Sequence, residues 1–174
     1  FDILFCAPNH QTFVIDEDLI KDSNVKSILS PSTGLNHIDV DSVPIVSVKN
    51  DKILNNVWST AEHALYLMLS IVRGKHELHE KTLGIIGYGR LGKMVEQLCK
   101  PLFQDVICVD EDDDMSLLYI ESDVVSIHID LNPTTKNLID NEFLSHFKRN
   151  IYLINTARGE VVNEKDIKHL LSVG

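Results

Sequence analysis

The chain has few of the residues that stabilise extracellular or membrane proteins. Its 174 residues include three cysteines, Cys6, Cys99 and Cys108, which form neither a C-x-x-C pair nor an even disulfide framework. Two of them lie in strand-like runs, where cysteine acts as a small core residue in a reducing compartment. No apolar run is long enough to span a membrane. The first residues, FDILFCAPNH, lack the basic region of a signal peptide. We therefore expect a cytoplasmic protein with no membrane partner.

Positive charge is also scarce. Sixteen Lys and Arg residues stand against 26 Asp and Glu, so the formal net charge is -10. This balance argues against nucleic acid or an anionic membrane as a partner. A hydrophobic fraction of 44% and a charged fraction of 24% are ordinary for a soluble globular protein. The chain begins at Phe1 and enters a strand pattern at once, so we expect it to be a piece of a longer protein.

The most informative stretch is TLGIIGYGRLG at residues 82–92. A short apolar run, Leu83–Ile86, leads into a G-x-G-x-x-G formed by Gly87, Gly89 and Gly92. Apolar residues then recur at helical spacing, at Leu91, Val95, Leu98 and Leu102, in a helix ended by Pro101. Strand, glycine turn and helix in this order predict a dinucleotide site, whereas the alternative is an ordinary strand–helix turn. The glycines would allow the tight turn, the approach of a pyrophosphate and close helix–strand packing, with the phosphates facing the helix N-terminus.

The rest of the chain alternates predicted strands with predicted helices. Strands are predicted at 2–6, with a break at Ala7-Pro8-Asn9, and at 25–29, 45–48, 106–109, 123–129 and 150–155. Helices are predicted at 16–21, 58–73, 115–120, 140–147 and 164–171, and residues 74–80 are predicted as a polar linker. This alternation predicts an α/β protein with a Rossmann-type, doubly wound parallel sheet.

Asp110 ends the strand that follows the glycine turn, 23 positions after Gly87 (110 − 87). A carboxylate there would accept hydrogen bonds from the adenosine ribose and repel a 2′-phosphate. No basic residue before Met115 offsets that repulsion, so NAD is favoured over NADP. The alternative is a solvated acidic turn.

The same acidic run imitates a calcium loop. Asp110, Asp112, Asp114 and Glu121 match positions 1, 3, 5 and 12 of an EF-hand. The position that requires glycine is Met115, and a strand precedes the run where an EF-hand has a helix. We predict no metal site.

Arg158 follows the strand 151–155 in the sequence Asn-Thr-Ala-Arg-Gly. Ligands of open α/β sheets bind beyond the carboxyl ends of the strands, so this guanidinium could hold a carboxylate and polarise a carbonyl. A surface arginine paired with Glu160 or Glu164 is an equally good reading of the spacing alone.

The chain resembles the D-isomer-specific 2-hydroxyacid dehydrogenases in five collinear motifs, from about Lys26 onward. The motifs are GLNHID at 34–39, STAEHA at 59–64, SDVVSIH at 122–128, LNPTTKNLI at 131–139 and LINTARGEVV at 153–162. The resemblance implies an NAD-dependent oxidoreductase that interconverts a D-2-hydroxy acid and a 2-keto acid. It also implies that residues 55–174 are the NAD-binding domain and that residues 1–54 are part of a flavodoxin-like α/β substrate domain.

The resemblance assigns roles to individual residues. Arg158 would bind the substrate and polarise its carbonyl, and backbone amides near Thr33 and Gly34 would hold the substrate carboxylate. Arg90 and Leu91 would lie under the pyrophosphate, His128 on the adenosine side, and Thr156, Ala157 and Thr60 near the nicotinamide. The full set of implied cofactor contacts is Gly87, Tyr88, Gly89, Arg90, Leu91, Gly92, Asp110, His128, Thr135, Thr156, Ala157 and Thr60.

The sequence departs from the family pattern in three places. Ser32 stands where glycine is usual, Ile53-Leu54 where Pro-Gly is usual, and Asp130 where proline is usual. These departures leave the substrate identity more open than the cofactor.

The family's catalytic histidine and its orienting glutamate follow the arginine motif, whereas this chain has only 16 residues after Arg158 (174 − 158). His63 does not occupy a matching position and is expected to be structural. We therefore expect this chain alone to bind NAD and turn over poorly, since general acid–base catalysis contributes roughly 10²–10⁴ in rate.

Two other functions remain open from the sequence. One is a non-catalytic NAD-sensing or corepressor-type protein of the same fold, and the other is an unrelated Rossmann binding domain in which Arg158 is coincidental. The wide apolar stripe of helix 58–73, together with the family's habit, also predicts a homodimer packed through that helix.

Overall fold

The computed structural model describes residues 2–6, 13–148 and 150–173, so the predicted break at Ala7-Pro8-Asn9 lies outside the described residues. The chain forms two compact units, Phe1–Asn56 and Val57–Gly174. None of the helices in the described ranges has the length and apolarity needed to cross a membrane.

The first unit is a small parallel α/β structure. In chain order its elements are β1 (Ile3–Phe5), β2 (Ile15–Asp16), α1 (Glu17–Ile20), β3 (Ser27–Ser30), β4 (Ile38–Asp39), β5 (Ile45–Ser47) and a 3₁₀ turn (Lys52–Asn56). One sheet has the order β1-β3-β5, and β2 pairs with β4 in a second, two-stranded ladder. The β2–β4 pair was not predicted, because two-residue strands are too short to show an alternating pattern.

The second unit carries a four-stranded sheet. Its elements are α2 (Ser59–Val72), β6 (Thr82–Ile86), α3 (Arg90–Cys99), β7 (Asp105–Val109), α4 (Ser116–Glu121), β8 (Val124–Ile127), α5 (Asn141–Ser145), β9 (Tyr152–Asn155) and α6 (Glu164–Val173). The strands are all parallel, in the order β7-β6-β8-β9. The predicted α/β class with a Rossmann-type parallel sheet is confirmed.

Helices cover both faces of this sheet, as expected for a doubly wound fold. Leu83 and Ile85 of β6 share one core cluster with residues of α2 and α3. Ile86 lies in a second cluster with Leu118 of α4 and Phe147. Successive side chains of a strand point to opposite faces, so β6 serves both clusters and its side chains are buried on both sides.

Two details of the sequence interpretation were wrong. Leu102 lies beyond the end of α3 and is 37% exposed, and the residues that α3 buries fully toward the sheet include Gly92, Val95 and Cys99. The predicted helical spacing was right, but the helix ends at Cys99, before Pro101, and so does not reach the predicted apolar position Leu102. The segment 74–80 is also more than a polar linker, because it contains a 3₁₀ turn whose Leu78 is buried in the core.

The glycines at the start of α3 give a matched stability test. A Cβ on Gly92 would overlap the carbonyl oxygen of Gly87, whereas a Cβ on Gly89 would meet nothing within 4 Å. We expect Gly92→Ala to lower the free energy of unfolding by about 2 kcal/mol or more, since overpacked sites must shift backbone. Gly89→Ala should lower it by less than about 1 kcal/mol, because the added Cβ meets nothing and the change only replaces glycine by alanine at the N-cap of α3. Urea unfolding followed by circular dichroism measures both, and equal stability of the two variants would contradict the packing role of Gly92.

Candidate cofactor and substrate site

The carboxyl ends of the four strands in the second unit bring the predicted site residues into one row. Ile86 pairs with Val109 on one side and with Ile127 on the other, and Ile127 pairs with Asn155. The next residue of each strand therefore continues the row, in the order Asp110, Gly87, His128, Thr156. Neighbouring strands lie about 4.8 Å apart, so the row spans about 14 Å. Chain order reverses across β6, which is where open α/β sheets bind their ligands.

The glycine turn fits a pyrophosphate. Gly87 has φ +92°, and a Cβ there would lie 2.8 Å from the backbone of His128. Gly87 and Gly92 are therefore required by the turn and by its packing. Nothing in the described chain occupies the space beside Gly89, which directly precedes α3. The first N–H groups of a helix have no intrahelical acceptor and carry the positive end of the helix dipole, so this open space suits an anion.

Tyr88 presents its backbone to the turn and directs its side chain along α3. Its hydroxyl donates a hydrogen bond to the carboxylate of Glu96, and the ammonium of Lys93 lies 5.4 Å from the ring centre. The bond to Glu96 raises the pKa of Tyr88 to about 12 and lowers the pKa of Glu96. The phenol therefore stays protonated and braces the turn against its helix.

Asp110 is exposed at one end of the row. Its N–H donates to Asp113 Oδ2 at 2.7 Å, which turns the chain directly after β7. Asp114 accepts hydrogen bonds from the hydroxyl and N–H of Ser116, and both bonds lower its pKa. The acidic run thus builds its own turn. In the part of the chain that the structure describes, no group of three His, Cys, Asp or Glu residues is placed to hold a metal ion.

His128 connects the ends of β8 and β9. Its Nε2 lies 2.8 Å from the hydroxyl of the fully buried Ser126, and its Nδ1 lies 3.5 Å from Thr156 Oγ1. Burial lowers the pKa of His128 to about 4. The imidazole is therefore neutral at physiological pH, and one of its nitrogens donates while the other accepts.

The far end of the row opens into a pocket of about 500 Å³ in the second unit. It is lined by Ser59, Thr60, His63, Asn155, Thr156, Ala157, Arg158 and Gly159. The pocket thus brings together Thr60, Thr156, Ala157 and Arg158, which the sequence interpretation had assigned to the nicotinamide and the substrate. It joins the two motifs STAEHA and NTARG, which are almost a hundred residues apart in the chain.

Asn155 fixes the turn that carries Arg158. Its side-chain Nδ2 donates to the carbonyl of Arg158 at 2.8 Å, and its Oδ1 accepts from the N–H of Ala157 at 2.9 Å. The guanidinium is exposed, and Arg158 Nη1 donates to the carbonyl of Ala157 at 2.8 Å. A strand anchored by the buried Ile154 and a side-chain clamp therefore hold the turn that carries this accessible positive charge at the pocket wall.

Four pocket residues were not assigned a role from the sequence: Ser59, His63, Asn155 and Gly159. His63 was expected to be structural, yet it is exposed and lines the pocket. Its position three residues after Thr60 places both on one face of α2, and this spacing was the available signal. For Asn155, the signal was its place as the last residue of a strand.

The remaining implied contacts lie elsewhere. The hydroxyl of Thr135 donates to the carbonyl of Asp130 at 2.7 Å and accepts from the N–H of Asn132 at 2.8 Å, so it closes its own loop. Thr33 and Gly34 belong to the first unit, directly after the buried Ser32.

Comparison with known proteins identifies the second unit. Residues 62–174 match the family described as D-isomer specific 2-hydroxyacid dehydrogenase, NAD binding domain. The chain belongs to the D-isomer specific 2-hydroxyacid dehydrogenase family. The glycine turn, Asp110 and the strand row are therefore parts of an NAD-binding domain, and NAD is its cofactor.

Several members of the family are similar along nearly the whole chain. Erythronate-4-phosphate dehydrogenase of Wigglesworthia glossinidia brevipalpis is 30% identical over 176 residues, which cover 92% of this chain and 46% of the relative. Formate dehydrogenase of Candida boidinii is 28% identical, with 99% and 58% covered. The crystal structure of D-lactate dehydrogenase from Aquifex aeolicus, complexed with NAD and lactic acid, is 25% identical with a TM-score of 0.80, covering 99% of this chain and 61% of that one. The chain thus spans about half the length of the curated relatives.

The lowered pKa of His128 predicts a pH-dependent stability. A histidine has a pKa near 6.5 when unfolded, so between pH 6.5 and pH 4 the unfolded chain binds a proton that the folded chain does not. Stability is complete above pH 6.5 and falls as the pH approaches 4. We expect the wild type to lose about 3 kcal/mol more than His128→Gln between pH 7 and pH 4. Parallel pH profiles of unfolding free energy would contradict a half-buried His128 that stays neutral.

Proposed function

We propose that the protein carrying this chain is an NAD-dependent oxidoreductase that interconverts a D-2-hydroxy acid and a 2-keto acid. One observation carries the proposal: Arg158 lies in the same pocket as Thr60 and Thr156, at the opposite end of the strand row from Asp110. A cofactor laid along the row, with its ribose at Asp110, would place its reactive ring beside a clamped guanidinium.

The chemistry of a 2-keto acid suits this arrangement. A bound nicotinamide gives or takes the hydride at the carbon that bears the oxygen. Arg158 offers a planar, permanently charged fork, which can bind a carboxylate or carbonyl oxygen through two N–H groups. During reduction, negative charge develops on the carbonyl oxygen, and a fixed positive charge beside it stabilises the transition state. The Asn155 clamp holds the main chain of the turn, and the hydrogen bond from Arg158 Nη1 to the carbonyl of Ala157 orients the exposed guanidinium before substrate arrives.

We assign the first unit to the substrate domain and the second to the NAD-binding domain. Thr33 and Gly34 follow a buried strand of the first unit, and their backbone N–H groups would bind the substrate carboxylate. The matched relatives act, by their names, on formate, erythronate 4-phosphate and lactate. All three carry a carboxylate, whereas erythronate 4-phosphate and lactate have a hydroxy carbon and formate has none, so the relatives leave the acid side chain open.

The non-catalytic alternative gains no support from the comparisons, because the matched relatives bear the names of dehydrogenases. The second alternative, an unrelated Rossmann domain, was wrong, because the family match includes the Arg158 motif.

We further propose a homodimer packed through α2 and a cytoplasmic location. The helix exposes Tyr66 opposite its buried residues, and Leu69 and Ile71 are exposed on the two flanks of the buried stripe; these apolar side chains are available to a second copy. Sedimentation velocity tests the dimer. The cysteines Cys6, Cys99 and Cys108 are all unpaired, as suits a protein of a reducing compartment.

Cofactor choice should depend on Asp110. NADH should bind at least tenfold more tightly than NADPH, since a 2′-phosphate would face the Asp110 carboxylate. Asp110→Asn should reduce that preference by about tenfold, the effect of about 1.4 kcal/mol of lost repulsion. Asp112→Asn removes the same charge two residues away and serves as the control. Fluorescence titration measures the six dissociation constants of the three proteins for NADH and NADPH, and an unchanged preference in Asp110→Asn would remove Asp110 from the ribose site.

Substrate turnover should depend on the shape as well as the charge of Arg158. With the protein expressed from its complete reading frame, we expect Arg158→Ala to lower kcat/KM for a 2-keto acid at least 100-fold, the loss typical of one preorganised donor. Arg158→Lys keeps the charge without the fork and should recover only part of the activity. The dissociation constant of NADH should change less than threefold in both. Steady-state assays with glyoxylate, pyruvate and hydroxypyruvate measure this, and wild-type kcat/KM in Arg158→Ala would refute the role.

A further inference from the structure

Two buried serine hydroxyls lie beneath the loop that we assign to the substrate carboxylate. Ser30, the last residue of β3, is 3% exposed, and Ser32 is 8% exposed. Their hydroxyl oxygens are 2.8 Å apart. Ser32 Oγ also donates to the carbonyl of Gly34 at 2.9 Å, and Ser30 Oγ lies 3.4 Å from His37 Nε2. These four residues form a continuous chain of hydrogen bonds.

The hydrogen bonds can run in only one direction. A hydroxyl has a single proton, and that of Ser32 is used on the carbonyl of Gly34. Ser30 must therefore donate to Ser32, and it has no proton left for His37. His37 Nε2 must then be the donor to Ser30. Each donor polarises the next, so the chain is stronger than its separate bonds.

The chain of hydrogen bonds starts from a fixed point of the fold. The carbonyl of His37 accepts a hydrogen bond from the N–H of Ile15 at 2.9 Å, and the next residue, Ile38, pairs with Ile15 in the β2–β4 ladder. Its other end is the Gly34 carbonyl, in the loop between β3 and β4. The loop is therefore hydrogen-bonded, through Ser32, Ser30 and His37, to a residue that the β2–β4 ladder holds in place.

The last hydrogen bond determines how the loop presents its N–H groups. It bridges from the Ser32 side chain to the Gly34 carbonyl and closes a ring around Thr33. The ring contains the peptide planes 32–33 and 33–34, which carry the N–H groups of Thr33 and Gly34, so closing the ring restricts the orientation of both groups. In the described part of the chain, no backbone carbonyl accepts from the N–H of Thr33 or Gly34. These are the groups that the proposed function offers to the substrate carboxylate.

We propose that Ser32, held by Ser30 and His37, is a positioning residue that sets the carboxylate-binding loop for substrate. The inference rests on the proposed function, because it needs a carboxylate at Thr33 and Gly34. Where the family pattern has glycine at this position, no hydroxyl is present to make the ring. The loop of this chain is therefore held by its own side chains.

The test uses the protein expressed from its complete reading frame, NADH, and a 2-keto acid with its methyl ester, pyruvate and methyl pyruvate being the first pair. We expect Ser32→Ala to raise KM for pyruvate about tenfold. Without the ring, one loop N–H no longer points at the substrate carboxylate, and losing one hydrogen bond to a charged group has an effect of this size. The kcat for pyruvate, the kcat/KM for methyl pyruvate and the dissociation constant of NADH should stay within twofold. The wild-type preference for acid over ester should therefore fall by about tenfold.

Three variants control the experiment. Ser32→Thr keeps the hydroxyl and should retain KM within twofold. Ser30→Ala removes the support of Ser32 and should raise KM for pyruvate about threefold with the same acid–ester pattern, which also covers poor folding of Ser32→Ala. Ser23→Ala removes a hydroxyl that donates to the carbonyl of Ile20 at 2.7 Å, elsewhere in the first unit, and should change nothing.

The outcomes separate the positioning role of Ser32 from the proposed function. Unchanged KM in Ser32→Ala, or equal losses for acid and ester, would overturn the positioning role while leaving the proposed function intact. If the wild type reduces none of glyoxylate, pyruvate and hydroxypyruvate with NADH, the proposed function fails and the inference fails with it.

Discussion

The register of β6 is the constraint on which the second unit depends. This strand is hydrogen-bonded on both sides, and its pairing places the ends of β7, β8 and β9 level with its own end. A slip of one residue in any pair would remove Asp110, His128 or Thr156 from the row and would turn buried side chains outward. The apolar side chains on both faces of β6 resist such a slip. The register that buries the apolar side chains of this unit is therefore also the register that aligns its site residues.

Much of this arrangement could be predicted from the sequence, for identifiable reasons. The glycine spacing reports a backbone conformation that other residues cannot adopt, as the positive φ of Gly87 and the crowding at Gly92 show. Asp110 was predictable because parallel strands end at one edge, so a carboxylate after the second strand has to lie near the turn. Arg158 was ambiguous from spacing alone and was assigned only through the family resemblance.

Contacts between distant segments could not be predicted in the same way. The spacing of His63 from Thr60 places both on one face of α2, but it does not show that this face is a pocket wall, because that depends on the turn after β9 packing near α2. The Asn155 clamp depends on the path of a four-residue turn, which residue types alone do not fix. The ring around Thr33 depends on Ser32, and the family pattern showed only that this serine stands where glycine is usual. In each case the missing information was three-dimensional placement rather than chemical type.

The Asn155 clamp also divides the work of the turn between its backbone and its side chains. Because the clamp binds main-chain groups of Ala157 and Arg158, the side chains at 156 and 157 are not needed to set the path of the turn. Both residues can therefore line the pocket, where Thr156 Oγ1 also lies 3.5 Å from His128 Nδ1. One amide side chain thus leaves its two neighbours available to the pocket.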